Sequence, residues 1–391
     1  MNNIMLLKVK ILVRYYFFYA KYFFDIKKSM RGFGKSEKHL VAVSHDLSKT
    51  GAPMLLLHIL KELSCRGWNI TLISMCAGPL IKEFSKVSDI YISRKPKKFC
   101  ERIARCESKS GNVLINSVIS GSWCKEFKDI NFNVVSLVHE LPGAIDYWKA
   151  GESAKNMNIF SDVIYFPSTF VKNKFQNNFG EAENTKVQPQ GVFLTQESDI
   201  LSDDALTLIR RKYKLDEKPI VLNVANGNFR KGFDLFLKLS HLCPDLNFVW
   251  AGDLDRGMKA LARSESTSNL HLLGYISQKN ELLNLYSAAS VLALTSREEP
   301  FGSIVLEAMS QGTPVIGFKD VGGFQDVVRN WDTGFLTELE DLEDMSDKIR
   351  LISFDRNLHM IMSNNCKKEM SNYSFDSYVS NIEKEFSQTH V

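Results

Sequence analysis

Glu299 and Glu307 frame the run Glu-Pro-Phe-Gly-Ser-Ile-Val-Leu-Glu, a spacing that sets two carboxylates on either side of a helix start. The stretch Ser290–Thr295 before it reads as a strand and Ser303–Gln311 as the following helix. The amides of Gly302, Ser303 and Ile304 then lack intrahelical partners and form an anion site. Gly302 has no Cβ, which lets a diphosphate approach the chain. Glu307 lies about one turn into the helix and returns to the face of Ser303. From there its carboxylate can accept hydrogen bonds from two vicinal ribose hydroxyls. Glu299 precedes the helix, on the other side of the phosphate position, within reach of sugar hydroxyls. Set against a diphosphate, two carboxylates would repel it. Set at its two ends, with neutral amides between, they select a sugar–diphosphate–ribose ligand. Taken alone, the spacing favours the plainer reading, an acidic loop followed by a helix with one solvated glutamate.

The flanking segments decide between these readings. Upstream stand Leu272-Leu-Gly-Tyr-Ile276, Leu283–Ala289 (LNLYSAA) and Val291–Ser296 (VLALTS). Downstream stand Gly312-Thr-Pro-Val-Ile316, Gly322-Gly323, Asp326-Val-Val328 and Thr333-Gly-Phe-Leu336. This ordered series resembles the donor-binding domain of glycosyltransferase family 4, a retaining family with the GT-B fold, without a break from about Ile220 to Leu336. The resemblance implies that Glu299 contacts the transferred sugar, Glu307 the ribose, and the backbone of Phe301, Gly302, Ser303 and Ile304 the diphosphate. The family also places a cation pair against the donor phosphates after an earlier strand, where this chain has Asn226–Gly232 (NGNFRKG). Lys231 matches the lysine before glycine. The arginine usual just after the strand is missing, since Ala225 and Asn226 occupy that stretch. Arg230 is the candidate substitute, because a guanidinium grips phosphate in bidentate fashion. A solvated helix start is the plain alternative for Arg-Lys-Gly.

The first half resembles the family more loosely. Ser44–Pro53 (SHDLSKTGAP) looks like the first loop of the subset with Gly-Ala-Pro in place of paired glycines. Gly51 would let backbone come near donor phosphate or acceptor there, unless the segment is a plain turn. In Val138-His-Glu-Leu-Pro142, His139 matches a family histidine that faces the transferred sugar; a structural histidine at a strand end is the alternative.

Positioning these residues requires a parallel α/β scaffold, and the pattern supplies one. Short apolar runs alternate with amphipathic stretches from Lys38 onward. Strands are predicted at His39–Ser44, Asn69–Met75, Gly111–Asn116, Val134–His139 and Asp162–Phe166, with a helix over Met54–Arg66. Turn and polar residues over Gln188–Leu201 interrupt the series. It resumes with strands at Pro219–Ala225, Leu246–Ala251, Leu270–Leu273 and Thr313–Phe318, and a helix over Gly232–Leu242. The expected fold is α/β, GT-B, with two doubly wound Rossmann-like domains facing across a cleft. The divisions are a basic leader at 1–37, an acceptor-side domain at 38–200, a nucleotide-sugar domain at 201–370, and a terminal helix at 371–391 crossing back to the first domain.

Composition narrows the function class. A chain of 391 residues with 44% hydrophobic content suits two folded domains. Seven cysteines with no CxxC pair and eight histidines without HxxxH or HExxH spacing give no support to a disulfide framework or a metal site. No metal and no cofactor are therefore expected. Nine cations against two acids up to Leu40 give that segment +7 of the net +4, leaving −3 for the rest, unlike a nucleic-acid binder. Within the leader, Lys10, Arg14, Lys21 and Lys28 form one stripe beside Tyr15, Tyr16, Phe18, Tyr19, Tyr22 and Phe23. That arrangement suits a helix lying on an anionic membrane surface, or one packed on the protein's own body. The expected partners are a nucleotide-diphosphate sugar, a lipid-linked or oligosaccharide acceptor and that membrane surface, at the inner face of the cell membrane. The resemblance implies a retaining hexosyl-type transferase of surface polysaccharide assembly, lipopolysaccharide O-antigen or capsule. A nucleotide-sugar epimerase or hydrolase, or a non-catalytic binding protein, are the alternatives on the same fold.

Overall fold

A computed structural model of the chain describes residues 38–104, 111–192 and 204–387. The basic leader and most of the expected boundary segment lie outside these residues.

The first half builds one parallel sheet. Its strands are β1 (His39–Ser44), β2 (Asn69–Ser74), β3 (Asp89–Ile92), β4 (Gly111–Asn116), β5 (Phe132–Leu137), β6 (Val163–Phe166) and β7 (Thr185–Val187). They lie in the order β3-β2-β1-β4-β5-β6-β7. Helices α1 (Gly51–Cys65), α2 (Pro142–Tyr147), α3 (Gly151–Phe160) and α4 (Thr169–Phe179) belong to this half. The second half carries β8 (Ile220–Val224), β9 (Asn247–Ala251), β10 (Leu270–Gly274), β11 (Val291–Leu294), β12 (Val315–Phe318) and β13 (Gly334–Thr337), ordered β10-β9-β8-β11-β12-β13. Its helices include α5 (Phe233–Leu242), α6 (Lys279–Ala288), α7 (Ser303–Ser310), α8 (Leu342–Phe354) and α9 (Arg356–Met370). Every described strand pairing is parallel. Helices cover both faces of such sheets, which is why β1, β9 and β11 are almost wholly apolar and buried.

Strand order reverses between β1 and β4 in one sheet and between β8 and β11 in the other. Loops leaving those strands at their carboxyl ends flank the crevice that doubly wound sheets use for ligands. The loop after β8 carries Lys231, the loop after β11 carries Glu299, α1 after β1 opens with Gly51, and His139 follows β5.

Helix α1 begins at Gly51, three residues before the expected Met54. Pro53 is accommodated because the first amides of a helix need no intrahelical partner. Strand β5 starts at Phe132 and ends at Leu137, so His139 lies beyond it. β3, β7 and β13 are edge strands, which need no continuous apolar run, and the sequence does not mark them as strands.

The last helix, α10 (Phe375–Ser387), leaves the second half and packs on the first. Tyr378, Val379, Ile382 and Phe386 are buried in one cluster with Leu55, Leu56 and Leu63 of α1. Arg66, just past α1, pairs with Asp376 and Glu383, and Trp68 Nε1 donates to Glu383 at 2.8 Å.

Candidate functional site

The second half contributes three converging pieces. In the loop after β8, Gly232 takes φ +68°, and a Cβ there would stand 1.8 Å from the Thr295 carbonyl oxygen. Only glycine allows this loop to lie so tightly against the end of β11. The Thr295 hydroxyl donates to Gly232 O at 2.9 Å, and the Lys231 amide donates to Asn228 Oδ1 at 2.9 Å. The Lys231 ammonium is thereby delivered to the Glu299 carboxylate, with which it forms an ion pair. Ser296 Oγ lies 3.5 Å from the same oxygen, and Glu299 is 6% exposed.

Glu299 is also held through its backbone. Its amide donates to Val321 O at 2.9 Å, and Gly323 N donates to its carbonyl at 3.2 Å. A Cβ on Gly322 would come within 2.1 Å of that carbonyl, so the glycine pair after β12 supports the acidic loop by close approach. Gly302 has a further reason to be glycine besides room for phosphate. It caps α7 with φ +77°, in the left-handed region, and a Cβ would sit 3.2 Å from Glu299 Cγ. Helix α7 starts at Ser303, which leaves its first amides without intrahelical partners at the crevice. Phe301 turns inward and is 4% exposed.

Glu307 lies one turn into α7 and is 7% exposed. Tyr286 of α6 donates its hydroxyl to Glu307 Oε2 at 2.8 Å. Burial pushes the Glu307 carboxyl up to about 7, with the tyrosine hydrogen bond opposing the shift. Arg230 is exposed, and one guanidinium nitrogen donates to Glu298 O at 2.9 Å. That leaves most of its five donors uncommitted.

The first half gathers its candidates through Asn116, at the end of β4. Asn116 Nδ2 donates to Ala52 O at 3.1 Å, and its Oδ1 lies 2.9 Å from His139 Nε2. Because the amide nitrogen is committed to a carbonyl, the oxygen accepts and His139 carries its proton on Nε2. Burial lowers the His139 pKa; Glu140 opposes the shift and His45 adds to it, so the ring is neutral near pH 7. Glu140 Oε2 accepts from the amides of Val118 and His139, each at 3.1 Å, which fixes the turn after β5. Gly51 is exposed, and a Cβ there would meet nothing within 4 Å, so the mouth of α1 is open. Across the crevice the halves meet at Gly143, where a Cβ would stand 3.0 Å from a Glu298 carboxylate oxygen.

Thus Lys231, Glu299, Gly302 and Ser303 converge, with Arg230 and Glu307 at their edges, while Asn116 joins His139 to Ala52, the neighbour of Gly51, on the opposing half. Tyr286 and Asn116 were not singled out from sequence. Tyr286 stands in the Leu283–Ala289 run, yet a lone tyrosine or asparagine carries no spacing signal. Among the described residues, no group of three or more metal-ligating side chains is present.

Comparison with known proteins identifies the family and the fold. Residues 207–369 match the family model of glycosyl transferases group 1, and residues 36–192 that of glycosyl-transferase family 4. An uncharacterized glycosyltransferase of Haemophilus influenzae is 26% identical over 205 residues, 51% of this chain and 57% of that protein. A Campylobacter jejuni N,N'-diacetylbacillosaminyl-diphospho-undecaprenol alpha-1,3-N-acetylgalactosaminyltransferase is 25% identical over 204 residues, 51% of this chain and 54% of that protein. The chain thus spans about half the length of these curated relatives. Among solved structures, Anabaena HepE in complex with UDP superposes with TM-score 0.76 at 18% identity, over 90% of this chain and 99% of that one. WaaG, a glycosyltransferase involved in lipopolysaccharide biosynthesis, superposes with TM-score 0.69 at 15% identity, over 89% and 100%. At these identities the likeness establishes the fold, which is GT-B.

Proposed function

This chain belongs to glycosyltransferase family 4, and from that membership we propose that it is a retaining transferase of a hexosyl-type sugar. The donor is a nucleotide-diphosphate sugar and the acceptor a hydroxyl of a lipid-linked or oligosaccharide substrate. The observation that carries this reading is the Lys231–Glu299 pair beside the open start of α7, with Glu307 one turn beyond. These are a cation, free amides and two carboxylates in the order that phosphate, sugar and ribose require. UDP in HepE favours a uridine donor, and the undecaprenol-linked and lipopolysaccharide relatives favour surface polysaccharide assembly, O-antigen or capsule.

Cleaving the bond at the anomeric carbon leaves oxocarbenium character there and puts negative charge on the departing diphosphate. Lys231, the amides of Ser303 and Ile304 and the uncommitted donors of Arg230 receive that charge. In the described structure Lys231 is occupied by Glu299, so an incoming diphosphate competes for the ammonium. Its capture frees the Glu299 carboxylate to accept from sugar hydroxyls, which makes donor binding the event that arms the site. Neutral His139, protonated on Nε2 and held by Asn116, faces the sugar from the other half. Among the described residues no side chain is placed as a covalent nucleophile, and the route of this proposal is attack on the same face, with the leaving phosphate taking the acceptor's proton.

The test is a panel of UDP, GDP, dTDP and ADP sugars, measured for binding and for slow hydrolysis, then for transfer to hydroxyl acceptors. Donor turnover that never yields a glycoside with any hydroxyl acceptor would convert the reading to a hydrolase or epimerase. Membrane placement is tested separately by flotation with anionic liposomes, comparing the full chain with one beginning at Lys38. The full chain is expected to float at low salt and the shorter one not to.

A further inference from the structure

The loop that carries Lys231 and the loop that carries Glu299 are joined residue by residue. Phe229, Arg230 and Lys231 of the first face Arg297, Glu298 and Glu299 of the second. Lys231 pairs with Glu299, and Arg230 donates to Glu298 O at 2.9 Å. The Thr295 hydroxyl adds a bond to Gly232 O at 2.9 Å, and the other contacts run through Arg297. Its amide donates to Arg230 O at 2.9 Å, and its Nη1 donates to Phe229 O at 2.7 Å. Nη1 and Nη2 donate to the two oxygens of Asp234 at 2.9 and 2.8 Å, a bidentate grip on the first turn of α5. Nε donates to Glu340 at 2.5 Å, and the guanidinium plane lies 3.8 Å from the centre of the Phe229 ring.

We infer that Arg297 is a positioning residue of the donor site, clipping the two loops so that Lys231 and Glu299 stand in the register that bond cleavage needs. The inference rests on the proposed function for its effect on turnover, though not for its effect on the loops. Arg297 does not act as a phosphate ligand: two carboxylates, Asp234 and Glu340, already take up its charge. What it supplies is shape. A planar fork binds both Asp234 oxygens, reaches a carbonyl and stacks on a ring, and an ammonium cannot do all three. A misplacement of about 1 Å at such a site costs on the order of 100-fold in rate.

The decisive variant is Arg297→Lys, which keeps the charge and removes the fork. Three quantities are read: UDP affinity by calorimetry, turnover of whichever UDP-hexose the wild type hydrolyses, and amide hydrogen exchange over residues 226–232 and 296–302. The expected result is turnover lowered by about 10- to 100-fold, UDP affinity within about threefold of wild type, and faster exchange in those two segments alone. Asp234→Ala should reproduce it, and the double variant should be no worse than the worse single, because both break one interaction. Wild-type exchange and turnover in Arg297→Lys would overturn the inference. So would faster exchange across the whole second half, which marks a general packing role. If the wild type binds none of the UDP, GDP, dTDP and ADP sugars and turns none of them over, the proposed function fails, and exchange in the two loops still decides the clip.

Discussion

At the scale of single residues, Glu307 offers a proton-linked signature. Its carboxyl titrates near 7 in the folded chain, against an ordinary value of 4.5, because it is buried. Between those values the folded state holds a proton that the unfolded state has released. Glu307 is therefore not a source of strain below about pH 4.5, and its cost to stability grows as pH rises towards and through 7, reaching on the order of 3 kcal/mol. Glu307→Gln should flatten that part of the pH–stability curve in urea titrations. Accepting from ribose hydroxyls favours the ionised carboxylate, so UDP affinity should rise from pH 6 to pH 8 in the wild type and be flat in Glu307→Gln. A nucleotide affinity equally pH-dependent in both proteins would separate Glu307 from the ribose. For the ion pair, Lys231→Ala should lower turnover by roughly 100-fold or more, with a smaller loss of donor affinity, since phosphate charge rises as the bond breaks. Glu299→Gln should keep or tighten UDP affinity, since the carboxylate no longer competes for Lys231, while impairing transfer. A Lys231→Ala enzyme with normal turnover would remove this pair from the chemistry.

At the scale of elements, the donor loops rest on glycines whose freedom is structural. Gly232 combines a left-handed φ of +68° with a 1.8 Å approach to the Thr295 carbonyl. Gly232→Ala therefore adds a left-handed backbone cost of about 1–2 kcal/mol to a clash that only backbone movement relieves. A drop in Tm of roughly 5 °C is expected, together with lowered turnover as Lys231 shifts. Gly51→Ala is the contrasting case, because its Cβ would enter open space at the start of α1. Unchanged Tm is expected there, so any loss of transfer measures ligand contact rather than folding. An equal fall in Tm for both variants would contradict the geometry.

At the scale of the whole molecule, α10 ties the second half to the first by a polar seam over an apolar one. Burial alone would raise the Glu383 pKa, but hydrogen bonds from Trp68 and Arg66 hold it below the ordinary carboxylate range. An acid depressed in this way stabilises the fold above its unfolded pKa and loses that contribution as pH falls. Glu383→Ala takes one partner from Arg66, which keeps Glu62 and Asp376, and the acceptor from Trp68 Nε1. It should cost on the order of 1–2 kcal/mol, with the largest deficit at neutral pH and convergence with wild type in acid. Equal deficits at all pH values would show that the loss is one of packing rather than charge.

The sequence by itself determined the class of fold, because buried parallel strands must be short continuous apolar runs and their helices must be striped. It also placed the donor-site candidates, with Glu299, Gly302, Ser303 and Glu307 on one strand–loop–helix unit and Lys231 on another, in segments whose order resembles the family's donor domain. What lay beyond it has a common physical cause. The Lys231–Glu299 pair, Tyr286 on Glu307, Asn116 between His139 and Ala52, and Arg297 across two loops all join residues far apart in the chain. Strand order alone brings these residues together: β8 lies beside β11, and β4 between β1 and β5. Periodicity reports which face of an element is buried, but not which neighbour it is buried against, and the raised pKa of Glu307 follows from that neighbour. Tertiary structure therefore decided the electrostatics of the site, whereas its residue types were already written along the chain.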